Sequence, residues 1–138
     1  MARDILGVIA GLAVWIAIAV VAGLIMRSAW PEYVRVADAM TFTLPMMFAR
    51  LATGALATLG AGWVAAVIAR RSVLASVAAG LLLVVAFVPQ HIMLWNKFPV
   101  WYHLTFLVSL LPLAYLGGQI NAPWQVAVPR SIGDPLAK

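Results

Sequence analysis

The chain has 138 residues, of which 65% are hydrophobic and 9% charged, with no cysteine and a formal net charge of +5. A soluble domain of this length has too much surface for its volume to bury so much apolar matter, and a disordered chain needs the opposite composition. Lipid accepts the surplus as solvent, which leaves an integral membrane protein, and without thiols there is no disulfide, thiol relay or thiolate metal site.

The first apolar stretch runs from Ile5 to Met26. It exceeds the roughly 20 residues a helix needs to cross about 30 Å of hydrocarbon. Arg3 ahead of it resembles the start of a signal peptide, but the run is too long for a typical signal core. A cut after Ala29 would put Arg27 where a small residue is needed, so a retained helix is expected. Gly7 and Gly11 form a GxxxG pair, a pattern that lets helix backbones approach closely in lipid.

The connection from Arg27 to about Thr43 is the longest, and carries Trp30, Pro31, Glu32, Tyr33, Arg35 and Asp38. Met40–Phe48 is apolar and reads as an interfacial segment or a protruding first helical turn, with Pro45 tolerated near the helix start. The second span covers 44–69 and is dense in small residues, among them Gly54, Ala57, Gly60, Ala61 and Gly62. Such faces mark packing surfaces, used either within the chain or against a partner or second copy.

The third span covers 73–95 and the fourth 100–120, joined by a tight link at Asn96-Lys97-Phe98-Pro99. Pro89 and Pro112 interrupt these two helices, each freeing a carbonyl one turn earlier. Residues 122–138 hold three prolines and read as an irregular tail after a transmembrane domain spanning 1–121.

Cations set the orientation. Arg3, Arg70, Arg71, Arg130 and Lys138 lie on one side, against Arg27, Arg35 and Lys97 on the other. That excess places both termini in the cytoplasm. The expected fold is therefore all-α, an antiparallel four-transmembrane-helix bundle, N-in and C-in, in a bacterial cytoplasmic membrane. The cations cap apolar runs instead of forming a basic face with interleaved aromatics, which argues against nucleic acid as a partner.

Depth follows from helical rise. Arg50 lies 20 residues before Arg70, which is about 30 Å, or one hydrocarbon thickness. Counting from Ser72 to His91 gives about 28 Å, and from Asn121 back to His103 about 27 Å. Arg50, His91 and His103 thus share one layer at the outer boundary. There Arg50 can snorkel to water, with Asp38 or Glu32 as available carboxylate partners, or bind an anionic group.

Trp30, Tyr33, Trp95, Trp101 and Tyr102 cluster at the same level, as an interfacial aromatic belt does. Trp15 and Trp63 lie deeper and suit bulk packing. The candidate binding residues are His91, His103, Arg50, Trp95, Trp101 and Tyr102. Neutral imidazoles there suit haem, a quinone or simple interfacial hydrogen bonding. Two histidines without a carboxylate make half of a usual metal shell, so no metal site is assigned.

Nothing in the sequence supplies a phosphate-cradling loop, a nucleophile elbow, a zincin motif or an intramembrane proton relay. The expected role is non-catalytic: an accessory or scaffold subunit of a larger membrane assembly. The alternatives are a haem-, quinone- or lipid-binding protein using the outer polar layer, and an oligomeric pore or small-solute permease. Expected partners are the bilayer itself and a protein or second copy docked on the small-residue faces.

Overall fold

A computed structural model describes residues 1–70 and 72–120. Among them are five helices and no strand: α1 (Ala2–Ala29), α2 (Pro31–Ala37), α3 (Leu44–Ile68), α4 (Val73–Met93) and α5 (Val100–Gln119). Four of these, α1, α3, α4 and α5, are long and apolar enough to cross a membrane. In hydrocarbon every backbone N–H and C=O must find its partner inside the chain, which a helix does by itself. Arg71, Asn121 and the tail 122–138 lie outside the described residues.

Helix ends follow local chemistry. Trp30 precedes a proline and is forced out of the helical region, with φ −131° and ψ 87°. That stops α1, which is longer at both ends than the expected 5–26. Pro31 then opens α2, with Glu32 in its first turn and Arg35 in its last, matching the helix dipole. This short helix lies within the long connection expected between the first two spans.

Met40 and Arg70 end α2 and α3 in the left-handed region, at φ 56° and 53°. Around Met40, its own N–H reaches the carbonyl of Ala37, and the Thr41 N–H reaches Val36, the double closure of a Schellman turn. Ser72 caps α4 by accepting from the Ala75 N–H at 3.4 Å. The other expected spans agree with the helices to within two residues: 44–69 against Leu44–Ile68, 73–95 against Val73–Met93, 100–120 against Val100–Gln119.

α3 packs against α1 on one side and α5 on the other. Ala57, Ala61 and Ala65, one turn apart, are fully buried. A Cβ added at Gly7 would fall 2.6 Å from the Ala65 carbonyl oxygen, and one at Gly11 2.6 Å from that of Ala61. Across the other side, a Cβ added at Gly62 would run into the Ala114 carbonyl, and one at Gly117 into the Leu59 carbonyl. These backbone contacts supply the dispersion energy that substitutes for hydrophobic exclusion in lipid. The small-residue faces of α1 and α3 are thus used within the chain, while Ile9, Ile16, Val20 and Leu24 of α1 remain exposed.

α4 closes the arrangement against α5 and, more weakly, α1. Val8 of α1 packs on the buried Ala65, Ala69, Ala75 and Ala79 near the N-terminal end. Midway, Leu83, Phe106 and Leu110 form a second core with Leu12, Trp15 and Phe87 around it. The opposite end, the loop end, is built from α2, the 38–43 segment and the 94–99 link.

Candidate functional site

Arg50 stands on the second turn of α3 at the loop end. Its guanidinium donates to the Tyr33 hydroxyl at 2.6 Å and, through Nε, to the Tyr102 hydroxyl at 3.4 Å. Cζ lies 4.7 Å from the centroid of Phe42, a cation–π distance. The carboxylate partners expected from sequence are not used. Asp38 is exposed without an ion pair, and Glu32 accepts instead from the Trp30 indole at 3.3 Å. Among the described residues the one ion pair joins the N-terminal amine to Asp4 at 2.9 Å. Neutral phenols therefore hold Arg50, and its charge is uncompensated by any acidic side chain.

The reason is geometric. α2 packs on α1 and directs Tyr33, next to Glu32 in sequence, to Arg50 of α3, where it is 4% exposed. Each phenol accepts from Arg50 and keeps its own O–H hydrogen as a donor.

His91 on α4 and His103 on α5 face each other, with their Nδ1 atoms 2.7 Å apart. One ring must donate and the other accept, so a single proton sits between them. His103 is fully buried, and its Nε2 has no partner. Aromatic rings hold both imidazoles: Phe106 stacks on His91 at 4.8 Å, and Trp95 on His103 at 4.9 Å. A metal shared between the rings needs nitrogens roughly 3–4 Å apart, each about 2 Å from the ion. The Nδ1 contact is too short for that, and the other nitrogen of His103 is enclosed by protein. The pair therefore offers no shared metal position as it stands, and no cluster of three or more His, Cys, Asp or Glu exists among the described residues.

A cavity of about 480 Å³ lies between these groups. Arg50, Tyr33, Tyr102, His91 and His103 line one part of it, with Gln90 and Thr53 nearby. Trp15, Phe42, Phe87, Phe98 and Phe106 supply apolar walls. Its floor is the Trp15–Phe87 contact at 4.8 Å, fixed by a hydrogen bond from the Trp15 indole to Thr58 at 3.1 Å. Arg27 and Arg50 are the charged residues in the lining, and no Asp or Glu belongs to it.

Four of the six residues singled out from sequence, Arg50, His91, His103 and Tyr102, meet at this cavity. Trp95 and Trp101 do not line it. Trp95 covers the back of His103, and Trp101 packs against Phe48 at 5.7 Å. The sequence pattern assigned Tyr33 to the interfacial belt and did not single out Phe42 or Gln90. The Pro31–Glu32–Arg35 helix pattern was the signal that could have turned Tyr33 inward. No protein-family model, characterised protein or solved structure matches this chain.

Proposed function

We propose that the chain is a non-catalytic integral membrane protein that holds a lipophilic ligand with a hydrogen-bond-accepting head in the loop-end cavity. In this reading the four long helices form an antiparallel bundle in a bacterial cytoplasmic membrane, with both termini cytoplasmic and the cavity at the outer boundary. The observation that carries it is the cluster of hydrogen-bond donors that converges on one part of the lining. Spare N–H groups of Arg50 and the O–H groups of Tyr33 and Tyr102 all donate, and no carboxylate accepts. A mostly apolar pocket with a few convergent polar groups is the usual form of a small-molecule site.

A quinone fits this lining: its carbonyl oxygens accept from the phenols, guanidinium or imidazole, and its ring lies against aromatic walls. A lipid headgroup fits the same donors. Haem fits less well, because His103 turns its Nδ1 to His91 and its partnerless Nε2 is enclosed by protein. The accessory-subunit role ranks behind ligand binding, since the small-residue faces that suggested a docking surface are occupied within the chain.

The test is to purify the protein in mild detergent, record its absorption spectrum and extract bound lipids and quinones for mass spectrometry. Wild type is expected to retain a quinone or lipid that Arg50→Gln releases. An empty wild-type protein refutes the reading, and one that is empty yet co-elutes with other subunits restores the accessory role. A fusion reporter placing Lys97 in the cytoplasm overturns the orientation.

A further inference from the structure

Two features of the cavity are unexplained by a generic lipophilic ligand: the uncompensated charge of Arg50, and a break in the wall between α1 and α4. Removing a guanidinium from bulk water without an opposite charge is costly, and the neutral phenols around Arg50 satisfy its hydrogen bonds without cancelling its charge. Arg27 adds a second cation at the rim, and the lining has no acidic residue to neutralise either. A phosphate or carboxylate seated against Arg50 would supply the missing charge and accept from both phenol hydroxyls in charge-assisted bonds.

The break concerns how such a ligand arrives. α1 and α4 meet below the cavity, through Val8 on the alanines of α4 and through Trp15 on Phe87. Beyond Trp15 the next residues on that face of α1, Ala19 and Gly23, border the cavity instead. A Cβ at Gly23 would meet nothing within 4 Å. Gln90 of α4 also borders the cavity, is exposed, and its side chain has no hydrogen bond among the described residues. An exposed polar side chain on one long apolar helix and a glycine with open space about it on another, both bordering the cavity, mark a side opening toward lipid.

We infer that the cavity takes an anionic lipid from the surrounding leaflet, its acidic headgroup on Arg50, Tyr33 and Tyr102 and one acyl chain leaving between α1 and α4 over Gly23. This rests on the ligand-binding reading above and narrows it. A neutral quinone leaves Arg50 unbalanced, and a free anion makes no use of the side opening.

The experiment uses the full chain in an uncharged detergent, with phosphatidylglycerol, phosphatidylcholine, a short-chain ubiquinone and inorganic phosphate as separate probes, read by native mass spectrometry and thermal unfolding. Wild type is expected to retain phosphatidylglycerol about tenfold more tightly than phosphatidylcholine, with Arg50→Gln abolishing the preference. A Cβ at Gly23 meets nothing within 4 Å, so Gly23→Trp should not lower the lipid-free unfolding temperature, while its ring reduces phosphatidylglycerol retention by a similar factor. If Arg50→Gln does not fold, the Gly23→Trp comparison still decides. Equal retention of the two phospholipids overturns the inference, as does stabilisation by inorganic phosphate that matches phosphatidylglycerol and survives Gly23→Trp. Retention of the quinone alone overturns it and leaves the ligand-binding reading standing. Retention of nothing overturns both.

Discussion

His91 and His103, on different helices, share one proton between Nδ1 atoms 2.7 Å apart, and the far nitrogen of His103 is sealed in protein without a partner. The pair ties the loop ends of α4 and α5 together across the cavity wall. It also tolerates no second Nδ1 proton, because two facing N–H groups cannot occupy that distance.

Replacing one ring of this pair should cost more than its share. His91→Phe or His103→Phe keeps a ring for the aromatic stacking but leaves the surviving Nδ1 buried and unpaired, a loss of about 1–3 kcal/mol. The double variant removes both orphans, so its loss should be smaller than the sum of the singles. Chemical unfolding in detergent measures all three, and strictly additive losses would argue against the hydrogen bond.

Tyr33→Phe removes the acceptor that joins α2 to Arg50. Hydrogen bonds to charged groups contribute about 1.5–3 kcal/mol, so α2 should open locally well before the spanning helices do. Amide exchange across Pro31–Ala37 should accelerate at least about tenfold. Unchanged exchange would mean that ring contacts to Trp30 and Phe42 hold the helix instead.

Glycines on α1 and α3 should divide sharply by what faces them. In Gly62→Ala the new methyl runs into the Ala114 carbonyl, a backbone group that cannot move aside, at a cost of about 1–3 kcal/mol or more. Gly23→Ala meets open space and should be neutral or stabilising by up to about 1 kcal/mol, the helix-propensity difference. Thermal unfolding of both variants checks the contrast, and equal effects would contradict the packing of α3 on α5.

Met40 holds a left-handed conformation at φ 56° in the Schellman turn after α2. Glycine adopts it without the Cβ penalty, so Met40→Gly should raise stability by about 1 kcal/mol. A fall in unfolding temperature would show that the Met40 side chain, which lines the cavity, contributes more than the strain it carries.

Residue order alone is enough to locate the four apolar spans and the relative level of the polar residues along them. Apolar runs must be helical in lipid, and each residue adds a fixed rise, so counting from Arg70 and Ser72 brings Arg50 and His91 to one level without reference to their neighbours in space. Direction around each helix axis was not legible. In water, a polar face and an apolar face reveal which side points inward, but in lipid both sides are apolar and the pattern carries little contrast. Helix packing was needed to bring His91 and His103 into contact, and to commit Gly7 and Gly11 to α3 and not to a partner. Packing also gave Arg50 the hydroxyl of Tyr33 and not the carboxylate of its neighbour Glu32. That choice depends on one short proline-initiated helix, which folds a single phenol inward and leaves the adjacent carboxylate exposed.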